Sequence, residues 1–375
     1  MALSPLDVTK GLFEIEISSG ALGSSGAIPS DMGNLKEYDR ETVVLFRVHH
    51  SLCDGVSMAA AVGDLSDEAA QLKDKILQER KNRMRKHDGN QAYHFFSSVA
   101  RSLLFMLWFV FTIIHALVIQ TWKIIVSSNP FDPILARNKV SVVQRSIAWR
   151  NIASVDDMKR AAKATTKRTT INDIAVACVT HAIKKQLEEH SRNMGNDAAI
   201  RIPQSVNITV PVHLTGGILK PGEQLGNKIG CFVSTIELNR SEKQTARDRL
   251  RLISKVLQRE KNLPSPLISW KMAKIFTDYT PVWCTKYALR KCSANSVAVV
   301  SNVRGFPIRV HWLGRRVAHI CAFLPLPPGI PIGIVVASYD GIISFGLNSD
   351  KRAVPDPDKF CDWMLEEYKR ICDGQ

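Results

Sequence analysis

The sequence predicts a mixed α/β (α+β) chain built in two parts, and three observations carry that reading. A strand-like apolar run, Val43 to Val48, ends on His49-His50 and passes through Ser51-Leu52-Cys53-Asp54-Gly55 into a helix-forming stretch. From about Val140 onward, β-branched runs alternate with amphipathic helical ones. Between the two parts lies an almost continuously apolar and aromatic stretch, Leu103 to Val126, interrupted by His115, Gln120 and Lys123. The boundaries that follow are 1–100, a hydrophobic membrane-associated segment 101–128, and 140–375.

In chain order, Gly11 to Ile17 alternates as a short strand, and the Gly/Ser-rich passage from Ser18 to Asn34 reads as a loop. After the histidine strand, one helix is expected from Val56 to about Lys86, basic toward its end. At 1.5 Å per residue, Leu103 to Val126 is long enough to reach across a bilayer core. Asn129-Pro130 and Asp132-Pro133 mark a boundary. Val142 to Arg150 reads as a strand. Ser154 with Asp157 forms a capping box for a helix through Thr165, and Thr170 with Asp173 repeats the device for Ile171 to Glu189. Asn172 and Asp173 therefore fall in a helix's first turn, where capping alone would explain them.

Ser205 to Leu214 is β-branched enough for a central strand, and Gly230 to Leu238 reads as another. Helices follow over Ser241 to Lys261 and Pro266 to Leu289. The remaining strands are expected at Ser296 to Val303, Ile308 to Leu313, Arg316 to Cys321, Ile332 to Tyr339 and Ile342 to Leu347. Asp340-Gly341 is placed as a hairpin turn and Asp356 to Cys372 as the closing helix.

With 375 residues, 45% of them hydrophobic, the chain can bury a large core, which excludes disorder. The net charge of +15 comes with no zinc-finger, RNA-recognition or helix-turn-helix signature, so nucleic acid is not the expected partner. The eight Cys form no CxxC pair, and Cys178, Cys231 and Cys321 sit in apolar runs, as suits buried thiols in a reducing compartment. No metal site is implied. Met1 to Lys10 lacks the pattern of a secretory signal.

The pattern His-His-x-x-x-Asp-Gly at 49–55 resembles the active-site motif of CoA-dependent acyltransferases of the chloramphenicol acetyltransferase and condensation-domain superfamily. Several further motifs, in order, resemble the bifunctional wax ester synthase/diacylglycerol acyltransferase family. They are Pro5-Leu6-Asp7 with Gly11-Leu12-Phe13-Glu14; Thr170-Ile171-Asn172-Asp173; Pro211-Val212-His213-Leu214; Leu225-Gly226-Asn227; Ser301-Asn302-Val303-Arg304-Gly305-Phe306-Pro307; and Ser338-Tyr339 through Asp356. Gly11, Phe13 and Phe306 depart from the family's Pro, Trp and Pro. The family carries a longer stretch before its histidine motif, so this chain is expected to have an incomplete N-terminal half and weak or no activity as it stands.

The resemblance implies a two-part fold like that of chloramphenicol acetyltransferase and condensation domains, with an apolar membrane-contacting helix between the halves. It implies transfer of a fatty acyl group from acyl-CoA to a long-chain alcohol or a diacylglycerol. Acyl-CoA is a co-substrate, and no cofactor is expected. The catalytic set is His50, as general base, with His49 and Asp54. An imidazole suits proton abstraction near neutral pH, and strand alternation keeps His49 from doing the same job. Asp54 would pair with an Arg to hold the loop, and Gly55 would let the backbone bend. Asn172, Asp173 and Asn302 are the substrate-binding candidates, Asn302 also for the oxyanion.

The basic balance fits CoA phosphates and an anionic membrane lipid surface. Both halves must meet around one tunnel, so the apolar segment is expected to enter one leaflet and return, or to lie along the surface. It would then anchor an enzyme facing the cytosol, at the endoplasmic reticulum or alternatively the plasma membrane. Two other readings stand beside this one: a catalytically inactive truncated homologue that binds acyl-CoA or lipid, and a soluble acyltransferase of another branch.

Overall fold

The computed structural model describes residues 12–19, 42–88, 110–123 (without 112, 115, 116 and 121), 128–137, 143–193, 202–214, 226–238 and 244–374. The Pro5-Leu6-Asp7 element, most of the Ser18–Asn34 loop, and 103–109 of the apolar stretch lie outside them. The chain divides into two compact units, Met1–Asp54 with Gln224–Asn227, and Gly55–Glu223 with Lys228–Gln375.

The first unit holds a two-stranded antiparallel ribbon, β1 (Phe13–Ser19) and β2 (Thr42–Val48), in register from Phe13↔Val48 to Ser19↔Thr42. Alternation puts Glu14 and Glu16 on one face, where Arg47 binds Glu14 at 2.7 Å. The other face presents Phe13, Ile15 and Ile17 as exposed side chains.

The second unit runs α1 (Gly55–Asp64), α2 (Ala69–Asp88), a helical stretch within 110–123, α3 (Asp132–Arg137), β3 (Arg145–Ser154), α4 (Val155–Thr165), α5 (Ile171–Asn193), β4 (Ser205–His213) and β5 (Ile229–Glu237). It continues through α6 (Ala246–Lys261), α7 (Ser265–Tyr279), α8 (Val282–Ser293), β6 (Ser296–Val303), β7 (His311–Trp312), β8 (Arg315–Arg316), β9 (Ile332–Tyr339), β10 (Ile342–Asp350) and α9 (Pro357–Asp373). Six strands form one sheet in the order β3-β10-β9-β6-β4-β5; β6 is parallel to β4 and β9, and the other pairs are antiparallel.

The core lies between this sheet and α4, α5, α6 and α9. Ile332, Ile334 and Val336 of β9 and Ile343, Phe345 and Leu347 of β10 alternate onto that face and meet Ile174, Ile183, Leu257 and Phe360. α5 is apolar on nearly every side because it is covered on nearly every side. On the opposite face the 321–326 stretch runs close over the sheet: a Cβ at Gly346 would stand 2.2 Å from the Ala322 carbonyl oxygen. Each capping pair forms one bond of its box: Ser154 Oγ accepts the Asp157 N–H at 3.0 Å, and Asp173 Oδ2 accepts the Thr170 N–H at 2.9 Å. Asp340 (φ 47°) and Gly341 (φ 80°) make the β9–β10 hairpin, two consecutive left-handed residues as a tight hairpin turn requires.

Four expectations change. The helix expected over 56–86 breaks at Leu65–Glu68, because Glu68 accepts the backbone N–H and Nδ1 of His311 at 2.8 and 2.7 Å, and Asp67 accepts the Gly314 N–H at 2.8 Å. The helix expected over 266–289 divides at Pro281 into α7 and α8, since a proline removes a helical donor. The strands expected over 308–313 and 316–321 shrink to the two-residue pair β7–β8. Cys178 and Cys361 are buried but Cys231 and Cys321 are half-buried; all eight thiols are free, and burial pushes Cys321 up to about 12.

No helix among the described residues is long and apolar enough to cross a membrane. Two of the three polar interruptions of the apolar stretch, Gln120 and Lys123, bind back onto the protein. β5 is the sheet's edge strand, and Gln120 satisfies its exposed backbone: Gln120 Oε1 accepts the Val233 N–H at 2.9 Å. Lys123 Nζ donates to the Val233 carbonyl at 2.9 Å and to Glu260 Oε1 at 2.7 Å, in a pair whose side chains are 14% and 7% exposed.

Candidate functional site

Both histidines lie just past the last ladder residue, Val48, so hydrogen bonding rather than strand alternation separates their roles. His49 is tied into its own turn. Its N–H donates to the Leu12 carbonyl at 2.8 Å, its carbonyl accepts the Leu52 N–H at 3.0 Å, and its Nδ1 meets Ser51 Oγ at 2.7 Å. Nδ1 also faces the Ser51 N–H at 3.3 Å, which fixes it as an acceptor and places the ring proton on Nε2. His50 is exposed like His49, but its ring makes no hydrogen bond among the described residues.

The loop that carries His50 is clamped at both ends from a distant stretch of the chain. Asn227 Nδ2 donates to the His50 carbonyl, and the Asp54 N–H donates to the Gly226 carbonyl at 3.2 Å. The sequence contained Leu225-Gly226-Asn227 as a motif without a role; its second and third residues hold the histidine loop. Asp54 is 1% exposed, and burial, then the nearby Asp54 charge, raises the pKa of the Cys53 thiol.

Gly55 has no positive φ, so the bend expected of it is not the reason for glycine there. The reason is packing: a Cβ on this first residue of α1 would come 2.9 Å from Cγ2 of Val303, at the end of β6. Asn302, one residue earlier on β6, is exposed. The following turn is fixed by Gly305, whose Cβ would lie 1.9 Å from the Ser338 carbonyl oxygen. Phe306, the departure from the family's proline, fills a small core with Leu72, Val310 and Tyr339.

Asn172 and Asp173 open α5 beneath α6. Asp173 is fully buried and saturated: it accepts from the Thr170 N–H, from Ser254 Oγ at 3.1 Å and from Lys261 Nζ at 3.0 Å. This accounts for Asp173 as a joint between α5 and α6. Asn172 is buried beside it with its Nδ2 unpartnered. No hydrogen bond links Asn302 to Asn172 or Asp173 among the described residues. The structure thus groups His49, His50 and Asp54 on one loop, and sets Asn172 with Asp173 apart from Asn302 in hydrogen bonding.

With the fold and this loop in view, the chain falls in the class of acyltransferases. Residues 225–372 match the WS/DGAT C-terminal domain, and over nearly its whole length the chain is similar to wax ester synthase/diacylglycerol acyltransferases. It is 22% identical to wax ester synthase/diacylglycerol acyltransferase 2 of Arabidopsis thaliana, over 99% of this chain and 74% of that protein. Of solved structures, the nonribosomal peptide synthetase FmoA3 (S1046A) matches 98% of this chain and 33% of its own at 12% identity and a TM-score of 0.51, a likeness of mixed α/β fold. The wax ester synthase/diacylglycerol acyltransferase from Marinobacter aquaeolei VT8 gives 16% identity and a TM-score of 0.40 over 64% of this chain and 54% of its own.

Proposed function

We propose that this chain transfers a fatty acyl group from acyl-CoA to the hydroxyl of a long-chain alcohol or a diacylglycerol, with His50 as the general base. The observation that carries the reading is the contrast within the histidine pair. His49 is used to shape the turn, while the His50 imidazole, on a loop clamped by Gly226 and Asn227, has no hydrogen-bond partner among the described residues. A protonated alcohol is a poor nucleophile, and an imidazole within about 3 Å of its hydroxyl can take the proton as the oxygen attacks the thioester carbonyl. The imidazolium then returns that proton to the departing CoA thiolate, so no acyl-enzyme forms.

Asp54 supports the loop from beneath, and Asn302 is the candidate donor to the oxyanion. Asn172, whose buried amide N–H groups have no partner among the described residues, is the stronger substrate-binding candidate of the 172–173 pair, since both Asp173 oxygens are already engaged. The reading extends to a two-part architecture of the chloramphenicol acetyltransferase and condensation-domain kind, and to a cytosol-facing membrane surface, at the endoplasmic reticulum, where both lipid substrates collect.

The test is expression in yeast lacking neutral-lipid synthesis, followed by chromatography of the lipids. Wax ester or triacylglycerol formed by the chain and lost in His50→Ala supports the reading. Acyl-CoA binding without either product would mark a silent lipid-binding homologue instead.

A further inference from the structure

The helical hairpin α7–α8 presents apolar side chains to solvent along most of its length. At 100° per residue, Met272, Ile275 and Tyr279 of α7 fall within an arc of about 60°, and Lys271, Lys274 and Asp278 fall within a second such arc about 100° away. In α8, Val282, Trp283 and Tyr287 are 69%, 69% and 61% exposed. These are large side chains in one contiguous element, which isolated surface hydrophobics are not.

The charges on the hairpin identify what it meets. From 265 to 293 it carries Lys271, Lys274, Lys286, Arg290 and Lys291 against a single acid, Asp278. Two of these ammonium groups stand over aromatic rings, Lys274 at 5.9 Å from Trp270 and Lys291 at 5.8 Å from Tyr287. Aromatic rings with snorkelling lysines beside them match the boundary between acyl chains and anionic headgroups, whereas the desolvated centre of a protein interface is depleted of lysine.

The hairpin is also fixed to the same edge strand as the 110–123 stretch. Ser269 Oγ accepts the Cys231 N–H at 2.7 Å, two residues from Val233, where Gln120 and Lys123 bind. A Cβ at Gly230 would meet the Pro266 carbonyl oxygen at 1.8 Å, so backbone contact seats α7 on β5. Val118 and Trp122, on the other element docked at this edge, are exposed as well.

We infer that α7–α8 is a membrane-docking surface that lays its apolar side chains into the headgroup boundary of an anionic bilayer, at the β5 edge of the sheet. This occupant is a lipid surface rather than a protein groove, and it is separate from the apolar segment that the sequence marks out. The inference does not depend on acyl transfer, because lipid binding is measured without substrate.

The experiment is sedimentation of the full chain with phosphatidylcholine vesicles, with and without phosphatidylserine. Val282→Ser/Trp283→Ser/Tyr287→Ser should lower partitioning at least about tenfold on both kinds of vesicle. Lys286→Glu/Arg290→Glu should lower it mainly on phosphatidylserine vesicles, by about fivefold or more per charge. All five side chains lie outside the buried core, so the thermal midpoint of each variant should match the parent's. Unchanged partitioning of the triple variant, with binding left to 110–123, would overturn the inference. So would a parent protein that does not sediment with vesicles, or a lipid-free dimer that the triple variant renders monomeric, which would assign the face to a second copy.

Discussion

Ile174, Ile208, Leu257 and Phe360 are fully buried in the unit Gly55–Glu223 with Lys228–Gln375, whereas Phe13, Ile15 and Ile17 stand exposed in the unit Met1–Asp54 with Gln224–Asn227. One unit has a six-stranded sheet with a deep helical layer; the other has a two-stranded ribbon, an arrangement that is marginal on its own. The histidine motif ends the ribbon. Its loop is therefore ordered by a short set of hydrogen bonds to Leu12, Gly226 and Asn227, while the larger unit derives its stability from apolar burial. Stability and chemistry can then be perturbed separately, and each variant below separates them in a different way.

The largest expected effect is chemical. His50→Ala should lower acyl transfer by roughly 100-fold, as for loss of a general base, and leave thermal unfolding unchanged because the residue is exposed and its ring makes no hydrogen bond among the described residues. Equal turnover of His50→Ala and the parent at saturating acyl-CoA would remove His50 from the mechanism.

Next comes a purely structural change in the larger unit. Glu260→Ala leaves Lys123 half-buried without its carboxylate and Gln120 without one of its acceptors, at a cost of about 2 kcal/mol. Urea denaturation should show that loss, and it should shrink to near zero in Glu260→Ala/Lys123→Met, which removes both charges. A double variant as unstable as the single one would place the loss in the contacts that Glu260 and Lys123 make rather than in an unpaired Lys123 charge.

The third effect depends on pH. His181, packed between α5 and α9 with Nδ1 3.3 Å from Glu367, is held to about 3, first by burial and then by Arg249, Arg370, Lys185 and Lys184. At neutral pH it is uncharged, and Glu367 has Arg249 3.2 Å from its other oxygen and Arg370 3.7 Å from the oxygen it shares with His181 as cationic neighbours. The folded pKa lies below the ordinary 6.5, so the unfolded chain binds the extra proton. Stability is complete above 6.5 and falls through the window from 6.5 to 3, by about 1.4 kcal/mol at one pH unit below 6.5. Burial raises the pKa of Glu367, which titrates with the opposite sign and softens the acid end of that window. In His181→Gln the loss between pH 6.5 and 5.5 should largely vanish from the urea midpoint; an unchanged slope would place its origin elsewhere.

The elements visible in the sequence were those whose local signals agree with their packing. Both capping boxes, the Asp340-Gly341 hairpin and the strands β4, β5, β6 and β9 all lie close to where periodicity and turn chemistry put them. The break at Leu65–Glu68 was not visible, because it is imposed by His311 and Gly314, more than two hundred residues further on. Long-range partners also decide the site. His49 and His50 are equivalent by composition, and only the Leu12 and Ser51 contacts distinguish them. Asp173 looked like a helix cap or a ligand until Lys261 and Ser254 filled its remaining oxygen positions. In the apolar segment, Gln120 and Lys123 appeared as interruptions; their role as partners of an edge strand required knowing which strand has a free edge.

The smallest effect tests the clamp itself. Asn227 reaches the His50 carbonyl through one side-chain N–H, and a single neutral hydrogen bond contributes about 1 kcal/mol. Asn227→Ala should therefore slow turnover by about fivefold, by letting the backbone beneath the imidazole wander. Asn227 is exposed, so unfolding should change by no more than that single bond, and acyl-CoA affinity should hold if the residue acts through His50 alone. Asn227→Asp separates geometry from bulk: its carboxylate has nearly the same shape but no hydrogen to donate, so it should be at least as slow as Asn227→Ala. Combined with His50→Ala, the Asn227 change should cost nothing further, because a positioning residue has no effect once the group it positions is gone. An additive loss in the double variant would show that Asn227 touches the substrate in its own right rather than acting by positioning His50.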